Sequence, residues 1–193
     1  MKNIAIEETL NEIFLLYDEH GHDDYIGEKV SQIEHMTQAA QLAESEKYDD
    51  EVVLAAFFHD IGHLCEYIMT VKRMEDCGVV DHEELGADYL LAKGFSKKIA
   101  QLVKSHVQAK RYLAFKKPEY YNILSEASKK TLEFQGGIMT EAEALQFEKD
   151  PLHELYIKMR MWDDQAKIQN IAIPSLDKYK KMAFKHLMNN YRL

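Results

Sequence analysis

Apolar residues recur at the three- and four-residue spacing of an α-helix along almost the whole chain, and this periodicity restricts the fold more than any other feature. The first segment shows it at Ile4, Leu10, Ile13, Phe14 and Tyr17, which fall on one face of a helix. The 193 residues include three prolines and eight glycines, and runs of β-branched residues are scarce. We therefore predict an all-α fold.

Capping residues and glycines divide this pattern into separate helices. A long loop with one helical turn is expected at 65–81. Besides the first segment, the predicted helices cover 29–45, a stretch from 49 through 60, 82–93, 96–107, 125–134, a segment opened by the capping-box pattern TEAE at 140–143, 152–164, and a last helix at about 174–190.

Composition excludes several classes of protein. The formal net charge of -9 argues against general nucleic-acid binding. The longest apolar run, 52–58, is too short to span a membrane, and the acidic N-terminal segment does not resemble a signal peptide. The two cysteines, Cys65 and Cys77, are expected to be reduced. We predict a cytoplasmic protein that is a monomer or a small homo-oligomer.

A histidine and an aspartate stand side by side at the end of the longest apolar run, in the stretch FFHDIGHL at 57–64. Burying such groups without partners costs about 2–7 kcal/mol for each neutral group and more for a charge. Their burial therefore requires either hydrogen bonds or a metal ion. The pair alone leaves both explanations open.

Several histidines beside apolar neighbours favour the metal ion, because each falls in a different predicted helix. A single buried imidazole is commonly satisfied by a hydrogen bond, whereas metal ions satisfy several together. The two oxygens of Asp60 can bridge two cations, and a set of imidazole and carboxylate ligands suits iron, zinc or manganese. The histidines concerned are His35, His59, His82 and His106.

The neighbours of the other histidines and of Asp163 indicate whether each belongs to the site or to the surface. His63 lies four residues after His59, on the same helical face, and would face the same cavity either as a ligand or as a substrate contact. Asp163 is a candidate carboxylate to complete the site. The remaining histidines lie among polar or charged residues, and we expect them on the solvated surface. They are His20, His22, His153 and His186.

With His35 and the pair His59–Asp60, the chain resembles the HD-domain superfamily of helical metalloproteins. With the additional histidines His82 and His106, the chain resembles the dinuclear branch of that superfamily, in which two metals share the aspartate. Six stretches between 23 and 164 are together similar, in order, to the phosphonate-cleaving diiron oxygenases of the PhnZ type. They read DDYIGEKVSQIEH, VLAAFFHDIGH, HEELGADYL, HVQAKRYL, LSEASKKTLEFQGG and MRMWDD.

This resemblance implies a single HD domain over 1–193, with a central dinuclear metal site in a helical bundle. The metal-binding region would cover about 25–165, followed by the C-terminal helix. Two iron ions, Fe(II) and Fe(III), are implied as cofactors, with O2 as co-substrate. The implied ligands are His35, His59, Asp60 and Asp163 for one iron, and His82, His106 and the other oxygen of Asp60 for the second.

The resemblance also implies the substrate contacts. His63, Lys110 and Ser128 match positions around the substrate phosphonate. Tyr25 and Glu28 match a mobile lid, in which the tyrosine leaves the metal when substrate arrives and the carboxylate recognises an amine. Asp60, His63 and Lys110 are the residues to which we assign catalytic roles.

The implied reaction is O2-dependent cleavage of the C–P bond of a small organophosphonate. The substrate would be a 1-hydroxyphosphonate such as 2-amino-1-hydroxyethylphosphonate, which would give phosphate and glycine. The alternative is a metal-dependent phosphohydrolase of the same superfamily, acting on a phosphate ester or nucleotide. It explains the ligands equally well but leaves Tyr25 and Glu28 without a role. A purely structural metal site is a third hypothesis, although such sites are usually closed by thiolates or a full protein shell.

Overall fold

The computed structural model describes residues 2–25, 27–75 and 78–190. Within them it contains eleven α-helices, one turn of 3-10 helix at Cys65–Tyr67, and only isolated β-bridges. The prediction of an all-α fold is confirmed. The helices are α1 Lys2–His20, α2 Gln32–Ser45, α3 Asp50–Phe58, α4 Ile61–Leu64, α5 His82–Ala92, α6 Lys97–Lys116, α7 Pro118–Ile123, α8 Glu126–Phe134, α9 Glu141–Phe147, α10 His153–Gln165 and α11 Asp177–Asn190.

Helix α3 is the centre of the bundle. Its residues from Val52 to Phe58 are all buried, as expected for a helix that is apolar on every side. Helices α2, α6, α10 and α11 pack around it, and α1 packs on α11. The residues that follow Phe58 therefore emerge in the interior of the bundle, where the side chains of His59 and Asp60 are buried.

The predicted helix starts after Ser96, Ser125 and Thr140 agree with the structure, whereas α2 starts at Gln32, after its cap Ser31, and not at 29 as predicted. The hydroxyls of Ser96 and Ser125 accept hydrogen bonds from the backbone N–H groups of Ile99 and Ser128. Thr140 and Glu143 form the predicted capping box at the start of α9. Each bond satisfies a backbone donor that the first helical turn leaves unpaired.

Two predicted helix ends were wrong, and one helix was missed. The helix predicted at 49–60 ends at Phe58, and Asp60 forms a turn with φ −108° before the separate helix α4. Helix α6 runs to Lys116, nine residues beyond its predicted end at 107, because no glycine or proline interrupts it. Helix α7 was not predicted; Pro118 occupies its first position, where the missing N–H costs nothing.

The expectation that four histidines lie on the solvated surface was wrong for His186. This side chain is buried on α11, where its ring stacks on Phe95 and its Nε2 accepts a hydrogen bond from the backbone N–H of Ser96. Cys65 is buried and free, whereas Cys77 lies outside the described residues. Across the described part of the chain, every helix is too short or too polar to cross a lipid bilayer.

Candidate metal centre

Two pairs of histidines meet at the centre of the bundle. His35 on α2 faces His59 at the end of α3, and their Nε2 atoms lie 3.0 Å apart. His82 at the start of α5 faces His106 on α6, with 3.1 Å between the Nε2 atoms. All four side chains are buried. The structure therefore brings together the four histidines singled out from the sequence.

Backbone carbonyl groups determine the proton positions on three of these rings. The Nδ1 atoms of His35, His59 and His106 lie 2.9, 2.8 and 2.7 Å from the carbonyl oxygens of Ala166, Ala56 and Val103. A carbonyl oxygen only accepts, so each Nδ1 carries the proton and each neutral ring keeps a lone pair on Nε2. For His82, the carboxylate oxygen Oε2 of Glu83 lies 3.6 Å from Nδ1.

Two lone pairs that face each other at 3.0 Å repel unless a proton or a cation lies between them. Two nitrogens bound at right angles to one metal ion, at about 2.1 Å each, are separated by about 3.0 Å. Both histidine pairs have this separation. Their donor atoms therefore fit the coordination sphere of a metal ion.

The carboxylate of Asp60 lies between the two pairs. Its Oδ1 is 3.3 Å from the Nε2 atoms of both His82 and His106. Its Oδ2 is 3.5 Å from the Nε2 atoms of both His35 and His59. Among the described residues, Oδ1 has no hydrogen-bond donor although it is buried. An orphaned buried anionic oxygen favours a cation beside it, and a carboxylate with one oxygen toward each histidine pair fits a bridging ligand for two cations.

Asp163 on α10 adds a second buried carboxylate beside the first pair. Its Oδ1 lies 3.4 Å from Nε2 of His35 and 4.0 Å from Nε2 of His59. Within the described residues this oxygen also lacks a hydrogen-bond partner. The first half of the site thus offers two imidazoles and two carboxylates, and the second half offers two imidazoles and one carboxylate.

His63 differs from these four histidines in its proton position. Its Nδ1 accepts a hydrogen bond from the backbone N–H of Val79 at 3.3 Å, which places the proton of the neutral ring on Nε2. His63 lies close enough to Asp60 and His82 to form an alternative ligand group. The proton position makes His106, with its free Nε2, the better ligand, and leaves His63 as a hydrogen-bond donor toward the cavity.

The prediction that His59 and His63 share a helix face was wrong, because α3 ends at Phe58 and His63 lies on the separate helix α4. His63 instead reaches the site on α4, where its ring stacks on His82 with 4.1 Å between centroids. This contact requires α4 and α5 to meet closely. A Cβ at Gly62 would lie 1.9 Å from the carbonyl oxygen of His82, so only glycine fits there.

Without a cation, the first half of the site holds a proton instead. Burial opposes charge on His35, but the adjacent carboxylates of Asp163 and Asp60 raise its pKa to about 9. Burial lowers the pKa of the neighbouring His59 to about 4. A metal ion has to displace the proton of His35, so its apparent affinity is expected to fall as the pH is lowered below about 9.

A cavity opens beside both halves of the site. Tyr25 and Glu28 approach it from the loop between α1 and α2, Lys110 lies on α6, and Ser128 lies on α8. Lys110 is buried, and its Nζ donates to Thr131 Oγ1 at 2.9 Å. Burial and the neighbouring guanidinium of Arg160 lower the pKa of Lys110 to about 7. The predicted substrate-contact residues thus line one cavity next to the candidate ligands.

Sequence comparison assigns the chain to a family. A family model described as HD domain matches residues 17–146. The chain belongs to the HD-domain family. The histidine–aspartate pair at 59–60 lies within the matched residues, between the two halves of the candidate metal centre.

Curated relatives of this HD-domain protein cover most of its length. An uncharacterized protein of Acanthamoeba polyphaga mimivirus is 45% identical over 182 residues, covering 94% of this chain and 83% of the relative. The hydroxymethylphosphonate dioxygenase of Gimesia maris (strain ATCC 29201 / DSM 8797 / 534-30) is 38% identical over 175 residues, covering 89% and 85%. The [1-hydroxy-2-(trimethylamino)ethyl]phosphonate dioxygenase (glycine-betaine-forming) of Leisingera caerulea is 40% identical over 159 residues, covering 82% and 80%.

These relatives confirm the resemblance to HD-domain phosphonate oxygenases of the PhnZ type, and with it the prediction that this HD-domain protein is an oxygenase. A metal site and the use of O2 follow from the same relatives and from the clusters of histidine and aspartate. The identity and number of the metal ions remain part of the proposal made below.

The sequence analysis missed Arg160, which holds the carboxylates of α10 in place. The guanidinium donates to Asp163 Oδ2 at 2.7 Å, to Asp164 Oδ1, and to the hydroxyl oxygen of Tyr120 at 2.9 Å. Because Oδ2 of Asp163 is used in this way, Oδ1 is left to face His35. The three-residue spacing within α10 is a signal for an ion pair, but nothing in the sequence showed that the pair is buried.

We expect Arg160→Gln to weaken metal binding in the first half of the HD-domain site by about tenfold, as loss of an outer-shell partner does. Removing the guanidinium frees the Asp163 carboxylate to rotate and leaves Asp164 without its buried partner. The check is a competitive chelator titration of the variant. Arg160→Lys, which retains the charge, serves as the matched comparison. Equal metal affinity in Arg160→Gln and the unchanged protein would show that Arg160 does not position Asp163.

Proposed function

We propose that this chain uses O2 to cleave the C–P bond of a 1-hydroxyphosphonate and gives phosphate and a carboxylic acid. One example is 2-amino-1-hydroxyethylphosphonate, whose products are phosphate and glycine. The observation that carries the proposal is the Asp60 carboxylate, each oxygen of which faces a separate histidine pair. The relatives named as dioxygenases of hydroxymethylphosphonate and of a trimethylamino-bearing 1-hydroxyphosphonate support it.

The proposed reaction balances as RCH(OH)PO3²⁻ + O2 giving RCOO⁻ + HPO4²⁻ + H⁺. The C–P bond and the C–H bond of the hydroxyl-bearing carbon are broken, that carbon is oxidised to a carboxylate, and both atoms of O2 enter the products. No other oxidant or reductant is consumed. An oxygenase therefore needs only a metal centre that accepts O2 and a pocket that holds the phosphonate.

In this proposal two iron ions, Fe(II) and Fe(III), supply the redox chemistry with O2 when bound. Imidazole and carboxylate donors are compatible with iron, and the tautomers described above leave the neutral rings of His35, His59 and His106 with a free lone pair on Nε2. The proposed ligands are His35, His59, Asp163 and Asp60 Oδ2 for one ion, and His82, His106 and Asp60 Oδ1 for the other.

The phosphonate dianion would be held by hydrogen-bond donors on the cavity wall. His63 presents an Nε2–H, Lys110 an ammonium and Ser128 a hydroxyl. Because the pKa of Lys110 is lowered to about 7 by burial and by Arg160, a dianion beside it would favour its charged form. The chain has a formal net charge of -9, so this local positive charge supports anion binding where the overall charge opposes it.

Tyr25 is proposed to act as part of a lid. Its hydroxyl donates to Asp60 Oδ2 at 2.8 Å, and its ring stacks on His35 with 4.0 Å between centroids. In this arrangement the phenol covers the half of the site that holds His35 and His59. Entry of substrate would require Tyr25 to give up the contact with Asp60, which couples substrate binding to exposure of the metal centre.

The competing function is hydrolysis of a phosphate ester by the same metals. It leaves the contact of Tyr25 with Asp60 without a purpose. The metal-loaded protein should consume O2 and release phosphate when given hydroxymethylphosphonate or 2-amino-1-hydroxyethylphosphonate in air. Release of phosphate from a phosphomonoester under strict exclusion of O2, without activity on either phosphonate, would establish the hydrolase instead.

Glu28→Gln is expected to reduce kcat/KM for 2-amino-1-hydroxyethylphosphonate by about tenfold, because a charge-assisted hydrogen bond to the substrate ammonium is lost. Metal content should be unchanged, since Glu28 is not among the proposed ligands. Steady-state kinetics and metal analysis check the two parts. Glu126→Gln, an exposed carboxylate at the start of α8, is the control. An unchanged preference for the amine-bearing substrate would remove Glu28 from substrate recognition.

The proposed location and oligomeric state of the protein rest on its sequence. We propose that residues 1–193 form one HD domain, and that the protein works in the cytoplasm as a monomer or small homo-oligomer without nucleic acid or a membrane. Size-exclusion chromatography with light scattering measures the oligomeric state.

A further inference from the structure

The ammonium group of Lys167 is already paired with Glu28, the residue proposed to recognise the substrate amine. Lys167 Nζ lies 2.7 Å from Glu28 Oε1, and their side chains are 17% and 13% exposed. The same oxygen accepts a hydrogen bond of 2.6 Å from Ser125 Oγ. Glu28 Oε1 therefore has one cationic and one neutral donor in place before any substrate arrives.

The other contacts of Lys167 also lie at the cavity. Its Nζ is 3.4 Å from Ser128 Oγ and 5.9 Å from the ring centroid of Tyr25, and its side chain forms part of the cavity wall. Lys167 thus touches both proposed lid residues and a proposed phosphonate contact. A surface lysine with a chance partner would not connect three such residues.

The backbone on either side of Lys167 is held in place. The carbonyl oxygen of Ala166 accepts a hydrogen bond from His35 Nδ1 at 2.9 Å. The amide side chain of Gln38 makes two bonds of 3.0 Å with Ile168, donating to its carbonyl oxygen and accepting from its N–H. Helix α2 therefore anchors both neighbours, and the Lys167 side chain leaves from a fixed point beside the metal centre.

The loop that carries Glu28 is seated against α8 as well. Gly27 has φ +74°, and a Cβ there would lie 2.7 Å from the Cβ of Ala127. Glycine satisfies both the positive φ and the close contact. With the loop seated in this way, Glu28 meets Lys167 at the edge of the cavity, where the substituent of a bound 1-hydroxyphosphonate would reach.

We infer that Lys167 competes with a substrate ammonium for Glu28 and so determines the preference between 1-hydroxyphosphonates with and without an ammonium group. This inference rests on the proposed function and narrows its substrate class. A substrate without a positive charge, of which hydroxymethylphosphonate is the simplest, leaves the pair of Glu28 and Lys167 intact. An ammonium-bearing substrate has to compete with Lys167 for the carboxylate, because two ammonium groups at one carboxylate repel each other.

The test is calorimetric titration of the metal-loaded protein, without O2, with hydroxymethylphosphonate and with 2-amino-1-hydroxyethylphosphonate. In Lys167→Met, the affinity for the amine-bearing phosphonate relative to hydroxymethylphosphonate should rise at least about tenfold, since Glu28 then lacks its internal partner. Lys167→Arg retains a cation and should keep the original ratio. Lys29→Met, an exposed lysine of the same loop, should also leave the ratio unchanged.

An unchanged ratio in Lys167→Met, with both phosphonates still bound, would overturn this inference and leave the proposed function intact. A ratio in Lys167→Arg that matches Lys167→Met would overturn it as well, because charge would not be the cause. Failure of the unchanged protein to bind either phosphonate would overturn the inference together with the proposed function. Turnover in air is then measured separately, so that loss of oxygenase activity is not confused with loss of discrimination.

Discussion

Replacing Asp60 by asparagine is expected to remove at least one metal ion from each chain and to lower phosphonate turnover by more than about 100-fold, because losing a direct ligand exceeds the effect of about 10–100-fold of losing an outer-shell partner. Asparagine has nearly the same shape, so the turn between α3 and α4 can form as before. Its amide offers only one oxygen. The NH2 group would then face one of the two histidine pairs and cannot bind a cation.

Metal analysis of Asp60→Asn after iron loading measures this effect directly. The matched control is Asp88→Asn, which changes an exposed carboxylate on α5, the helix that carries His82. Circular dichroism should show unchanged helix content for both variants. Asp60→Asn that retains two ions per chain would reject the bridging role.

Lys110→Met is expected to have two opposite effects, a loss of activity and a gain in stability. The loss should be about 30-fold or more in kcat/KM for a phosphonate, because truncating one partner of a buried charge pair costs about 2–5 kcal/mol. The gain arises because a buried ammonium whose pKa is lowered to about 7, by burial first and by Arg160 second, destabilises the folded state.

How the stability of the folded state changes with pH follows from whether Lys110 binds a proton in the folded and in the unfolded chain. Between about pH 7 and about pH 10.4 the unfolded chain keeps a proton on Lys110 that the folded chain loses, so the stability of the folded state rises with pH through this window. Below about pH 7 the cost of the buried charge is fully present. The metal-free Lys110→Met variant should therefore melt at least about 2 °C above the unchanged protein near neutral pH, and this gain should diminish toward about pH 10.

Differential scanning calorimetry of the metal-free proteins measures the stability, and phosphate release measures the activity. Lys104→Met is the control on the same helix, since Lys104 is exposed and pairs with Glu84 at the surface. A Lys110→Met variant with full activity would remove Lys110 from the phosphonate site. Equal melting temperatures at neutral pH would mean that Lys110 is not buried as a charge.

The parts of the fold that local sequence determines were predicted well. Helix starts at Ser96, Ser125 and Thr140 depend on a hydroxyl and a backbone N–H three residues later, so both partners are visible in a short stretch. The end of α3 at Phe58 was missed because the apolar periodicity continues into α4. What stops the helix is the turn at Asp60, whose reason lies in the surrounding site rather than in local propensity.

In the candidate site, too, sequence reasoning identified some residues and missed those whose role depends on partners far along the chain. The histidines and Asp60 were found from residue type, from apolar neighbours and from the family resemblance. The residues that hold or oppose them were not found, because their partners are far apart in the chain. Arg160 meets Tyr120 across 40 residues, and Lys167 meets Glu28 across 139. Such pairs become visible only when the helices are packed.

The most direct test of the dinuclear centre is an anomalous difference map from a crystal of the iron-loaded protein, measured on both sides of the iron absorption edge. The account predicts two peaks about 3.5–4 Å apart, one on each side of the Asp60 carboxylate, with the first beside His35, His59 and Asp163 and the second beside His82 and His106. A single peak, or a map in which these imidazoles bond to one another with no ion between them, would contradict it.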